Sequence, residues 1–183
     1  MNGTYIIIIA AVLALVVVGV ILALVFARRN SSKQLQNQFG AEYEHTVQAL
    51  GDEKKAQTEL KERQKHIETL DIRPLSATER ERYLADWAAV QSKFVDEPGP
   101  AIIAADRLIM EVMQTRAYPV SDFEQRAADL SVGYPALVSN YRAARAIALK
   151  NEQQLADTEE LRQAMLCYHS LFDELIETEA VVA

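Results

Sequence analysis

An unbroken apolar run from Tyr5 to Ala27, YIIIIAAVLALVVVGVILALVFA, constrains this chain more than any other stretch. At 1.5 Å per residue it makes a helix of roughly 34 Å, enough to cross a hydrocarbon core of about 30 Å. No charge interrupts it. Ahead of it MNGT carries no charged side chain, whereas Arg28, Arg29 and Lys33 follow directly behind. Lys and Arg accumulate on the cytoplasmic side of a span. The expected topology is a single-pass protein of the inner (cytoplasmic) membrane, N-terminus outside and C-terminal domain in the cytoplasm. The lipid bilayer is then a partner through residues 5–27. A cleaved signal peptide would need a basic leading segment and a shorter apolar stretch, and both are missing. The sequons at Asn2 and Asn30 lie against the bilayer and are read as chance patterns.

Beyond Lys33 the chain carries all 26 acidic residues and 16 of the 19 basic ones, a formal charge of −10. Such a field repels phosphate backbones, which argues against nucleic acid as a partner. The single cysteine, Cys167, permits no internal disulfide and fits a reducing compartment. Glycine and proline are scarce, and β-branched alternation is absent outside the apolar run. The expected class is all-α: a transmembrane helix, a polar stalk helix and a compact five-helix bundle. The boundaries fall at 5–27 for the span, 28–71 for the juxtamembrane linker and stalk, and 72–177 for the bundle. Residues 178–183 are expected to form a disordered tail.

In the linker, Gly40 and Gly51 bracket a helical stretch from Glu42 to Leu50. Between Asp52 and Leu70, the residues Ala56, Leu60, Ile67 and Leu70 follow 4-and-3 spacing, with Arg63 taking one slot of that series. Two readings of this narrow seam are open. It fits a stalk with weak self-association, or a solvated helix packing one edge on the domain.

Pro74 ends the linker, and Ser76 with Glu79 forms a capping box that starts the next helix. Its expected buried face is Tyr83, Leu84, Trp87, Ala88, Gln91, Phe94 and Val95. A turn at Pro98–Gly99–Pro100 leads to a helix with Ile102, Ala105, Leu108, Ile109, Val112 and Met113 inward. Ser121 and Glu124 read as a second capping box, opening a short helix with Phe123, Ala127 and Leu130 inward. Pro135 begins a helix carrying Leu137, Val138, Tyr141, Ala144 and Ala148. Asp157 or Thr158 caps the last helix, whose stripe is Leu161, Ala164, Met165, Tyr168, Leu171, Phe172, Leu175 and Ile176.

The chemistry-bearing motifs searched for (HExxH, GxSxG, GxGxxG, P-loop, CxxC) are absent. No catalytic residue, no cofactor and no metal ligand is assigned. His45 and His66 have no ligand partner at suitable spacing. Cys167 and His169 are two apart on a helix and point in different directions. An off-stripe Cys167 reads as inert. One cluster stands out as a structural or interaction site: Asp122, Glu124, Arg126, Asp129, Tyr141, Arg142 and Arg145. It sets forked guanidinium donors and carboxylates on two adjacent helices. The favoured expectation is a network clamping those helices, with Arg126, Asp129 and Arg142 paired. The alternative is a patch recognising an acidic segment of another protein.

The runs IRPLS (72–76), WAAVQSKFVDEP, YPVSDFEQRAADLSVGYPALVSNYRAA and LRQAMLCYHSLFDELI resemble a group of bacterial proteins with one N-terminal membrane helix. These are described only as hypothetical or secreted proteins. The resemblance spans 39 to about 176 and is most specific in DFEQRAADLSV and NYRAA. It implies a bacterial, stand-alone anchored domain and carries no activity. The expected function is a membrane-anchored cytoplasmic module that docks an unknown protein partner. The alternative is a small enzyme or ligand-binding domain with a site in the 122–145 region.

Overall fold

The structure is a computed structural model that describes Gly19 and residues 32–177. Apart from Gly19, the expected span lies outside the described residues, as does the expected tail at 178–183. Among the described residues no helix is long and apolar enough to cross a membrane. The chain divides into two compact units, residues 1–38 and residues 39–183. Of the first, residues 32–38 are described and are helical.

Within the second unit seven helices follow one another: α1 (Ala41–Leu50), α2 (Glu53–Glu68), α3 (Ala77–Asp96), α4 (Pro98–Thr115), α5 (Phe123–Gly133), α6 (Pro135–Glu152) and α7 (Thr158–Glu177). The described residues are all-α, with no strand. The bundle is nevertheless larger than five helices. The stretch expected to stand off as a stalk belongs to the same unit: α1 packs on α6 and α2 packs on α5. A solvated helix laying one edge on the domain describes α2 correctly, and a free stalk does not.

Local chemistry explains the boundaries. Gly51 closes α1 with φ of 65°, a left-handed conformation that a side chain would strain, and its N–H reaches back to the carbonyl of Val47. Asp52 then caps α2 by accepting from the N–H groups of Lys54 and Lys55. The Ser76–Glu79 capping box opens α3. At α5 the expected box is displaced by one residue. Asp122 is the cap, its carboxylate accepting from the Gln125 N–H at 3.0 Å, so Ser121 lies outside the helix. Pro135 sits in the first turn of α6. Asp157 and Glu160 cap α7 reciprocally, each carboxylate accepting from the other's N–H.

The apolar core lies between α3, α4, α6 and α7. All eight stripe residues of α7 are buried, as are the six expected on α4. Trp87 stacks on Phe172 with ring centroids 4.6 Å apart and closes the α3 side. The expected face of α3 is too wide. Tyr83, Trp87 and Val90 are buried, but Leu84 is half exposed and Val95 is 81% exposed. Cys167 departs from expectation too, since it is buried at the edge of the α7 stripe within the core cluster.

Candidate functional site

Within the hairpin the Tyr43 hydroxyl of α1 donates to Glu53 of α2 at 2.9 Å. Tyr43, Ala56 and Leu60 are buried, yet none of them joins the main core cluster. From the hairpin only Ile67, near the end of α2, is part of that cluster. The hydrogen bonds and ion pairs across the seam between hairpin and bundle are few and discrete.

The centre of these contacts is Glu42, in the first turn of α1, with a side chain only 3% exposed. Arg142 on α6 forks onto this carboxylate, Nη1 to Oε2 at 3.0 Å and Nη2 to Oε1 at 3.2 Å. Arg63 on α2 donates from Nη1 to Oε1 at 2.9 Å. The carboxylate is thus held by two guanidiniums from two different helices. Arg63 also donates from Nε to Glu59 at 3.0 Å, so two carboxylates balance two cations. Planar forked pairing of this kind is directional, and a buried carboxylate without it would be strongly unfavourable. His45 lies 3.9 Å from Glu42 on the solvent side. Glu124 is 3.9 Å from Arg142 but largely exposed, so it adds little.

A second polar contact joins α2 to α5. Asp129 is buried, and its Oδ1 accepts from Gln125 Nε2 at 2.8 Å while His66 Nε2 stands 3.6 Å away. Its Oδ2 has no hydrogen-bond partner. Burial raises the Asp129 carboxyl pKa above its ordinary value, opposed by the Gln125 bond and by the charges of His66 and Arg63. At Asp122 the balance is reversed: the Gln125 N–H holds the exposed cap below the usual carboxylate range. Gln125 and His66, the two contacts of Asp129, also line an open groove of about 430 Å³ together with residues that include Glu59, Glu62 and Ser121.

Two further buried charges lie inside the bundle. Asp106 of α4 accepts from the Tyr168 hydroxyl at 3.1 Å and from Arg145 at 3.3 Å. Burial, and then the Asp106 charge, pushes the Tyr168 hydroxyl well above the ordinary tyrosine value. Arg116 is fully buried at the end of α4. It donates to the Tyr134 hydroxyl and the Leu175 carbonyl, each at 2.9 Å, and to the Arg73 carbonyl at 3.2 Å. None of the described ion pairs includes it. The carbonyl end of α7, which carries partial negative charge, supplies the compensation instead.

The cluster expected around residues 122–145 is therefore dispersed. Arg126 does not pair with Asp129. It donates to the Tyr141 hydroxyl at 3.3 Å and to the Ser121 carbonyl at 2.8 Å. Asp129 turns to Gln125 and His66, Arg142 to Glu42, and Arg145 to Asp106. Arg126 with Tyr141 does bridge α5 to α6, with the Phe123 ring 4.9 Å from Tyr141. Sequence inspection noted Arg63 only as an interruption of the α2 seam and passed over the roles of Glu42, Asp106 and Arg116. Arg63 and Asp106 interrupt otherwise apolar helical series, and a charge in such a slot is the signal that could have found them. Among the described residues no three His, Cys, Asp or Glu side chains converge as a metal site. No protein-family model matches the chain, and neither a curated protein nor a solved structure shows significant similarity to it.

Proposed function

We propose that this chain is a membrane-anchored helical module for protein–protein interaction, held at the cytoplasmic face by residues 5–27. The observation that carries the reading is the uncharged 23-residue apolar run with Arg28, Arg29 and Lys33 behind it and none ahead. The charges of the helical unit support it in a second way. Glu42, Asp106, Arg142 and Arg145 are spent on one another, which suits a scaffold. A formal charge of −10 beyond Lys33 favours a partner with a basic surface over nucleic acid or anionic lipid. Two experiments test the reading. A C-terminal phosphatase fusion that is active only outside the cytoplasm should stay inactive; an active fusion, or a mature chain beginning near Arg28, overturns the topology. Crosslinking of the full chain in its native membrane should then recover a discrete protein partner. The absence of any crosslinked species would remove the interaction role.

The groove lined by His66 and Gln125 favours a second reading, a small-ligand site, because both of those residues also contact the buried Asp129 carboxylate. A thermal-shift screen of small cationic ligands separates the two. Stabilisation that Asp129→Asn abolishes would favour the ligand site.

A further inference from the structure

We propose that α1 and α2 form a releasable arm: the hairpin undocks from the α3–α7 bundle as an intact unit, and Glu42 is its latch. Three observations converge on this. The buried apolar residues of the hairpin other than Ile67, namely Tyr43, Ala56 and Leu60, lie outside the main core cluster, and the Tyr43 hydroxyl ties α1 to α2 by donating to Glu53 at 2.9 Å. Opening the seam therefore withdraws Ile67 alone among the α1 and α2 residues from the main core cluster, together with Leu70 that packs on it from just beyond α2. Across the seam run discrete polar contacts: Glu42 with Arg142, Arg63 with Ser131 at 3.4 Å, and His66 with Asp129. Such contacts are lost one group at a time and are replaced by water on opening, unlike packed apolar area.

The third observation is the position of the hinge. After α2 the chain is non-helical from Thr69 to Ser76. Its far end is fixed on the bundle: the Arg73 N–H donates to the Arg116 carbonyl at 3.1 Å, and Arg116 Nε donates back to the Arg73 carbonyl. Glu79 forks onto the Arg73 side chain as well. A released arm thus pivots ahead of Arg73 without drawing on α3 or α4. The face that it uncovers holds Arg142, Ser131, Ala128 and Asp129, all on α5 and α6.

The native cysteine makes the test direct. Cys167 is buried in α7 and reports on the bundle. In the full-length chain in detergent, Ser131→Cys places a second thiol under the arm, where Ser131 is fully buried. Thiol labelling should be faster at position 131 than at 167. Adding Glu42→Gln, which keeps the shape and removes the charge, should accelerate labelling at 131 about tenfold or more and leave 167 unchanged. The helical circular dichroism should stay as it was. A proportional rise at both thiols would show one cooperative unit and overturn the arm. No change at either would remove Glu42 as the latch, and a loss of helical signal would show that the hairpin melts instead of undocking. Should Ser131→Cys impair folding, Ala128→Cys, also buried on α5 and outside the core cluster, reads the same seam.

Discussion

Where α7 meets α4 and α6 the contact is apolar apart from Asp106 with Tyr168 and Arg145, and is built from side chains such as Ile109, Val112, Leu171 and Phe172 that are all but fully buried. Where α1 and α2 meet the bundle, the contact is a carboxylate between two guanidiniums and a histidine over a buried aspartate. The two regions have different physics. Apolar burial is non-directional and scales with area, so the core tolerates small shifts but loses heavily when volume is removed. The seam is directional and depends on a few groups, each of which was dehydrated to take part. From this follow a bundle that fails as a whole and a hairpin that is able to part from it.

Cutting the core should give the largest effect. Phe172→Ala removes the ring stacked on Trp87, and a cost of about 3–5 kcal/mol is expected for a fully buried phenylalanine. Denaturation followed by Trp87 fluorescence, which reports on the bundle, should show it as a lower midpoint. A next smaller effect is expected at Asp106, where Asp106→Ala leaves the Tyr168 hydroxyl and Arg145 without their acceptor. Because Arg145 is partly exposed, about 2 kcal/mol is expected, below the range for a fully buried pair. Adding Tyr168→Phe should return part of that loss, since an unpaired buried hydroxyl is then removed.

At the seam, Arg142→Lys keeps the charge and loses the fork onto Glu42. A cost of about 1 kcal/mol is expected, confined to amide protection in α1 and α2. If bundle amides lose protection equally, the contrast between the regions fails. The smallest effect concerns pH. The folded-state pKa of Asp129 lies above its unfolded value because of burial. The native state therefore binds the proton more tightly, and stability falls as pH rises through the window between those two values. Below the unfolded value both states are protonated and the group contributes nothing. Asp129→Asn, which preserves an acceptor for Gln125, should match the parent near pH 3.5 and melt a few degrees higher at pH 7. A variant that melts lower at pH 7 would show that the carboxylate charge helps to hold the seam.

Much of this architecture is written in local patterns. The α7 stripe repeats at helical spacing, and Ser76 with Glu79 marks the start of α3 because capping depends on neighbours only a few residues apart. Arg63 interrupts an otherwise apolar seam, and it is one of the two residues that close on Glu42. The partner itself is beyond local inspection: Glu42 and Arg142 are 100 residues apart, and periodicity says nothing about which helix faces which. The same limit dispersed the cluster expected at Arg126, Asp129 and Arg142. Spacing along two short helices places side chains on faces, while the choice of partner follows from the docking of α1 and α2. Arg116 illustrates a related difficulty, since its acceptors are carbonyl and hydroxyl oxygens with no sequence signature.

Native-state hydrogen exchange on the unmodified full-length chain tests the contrast between the two regions most directly. Amides of α1 and α2, helices of 10 and 16 residues that fray readily once off the bundle, should exchange at a shared lower free energy set by undocking, and those of α4 and α7 only through global unfolding. Mild denaturant should separate the two groups, with the hairpin opening exposing less surface and so showing the shallower denaturant dependence. A single opening free energy and a single slope across α1 to α7 would contradict the account.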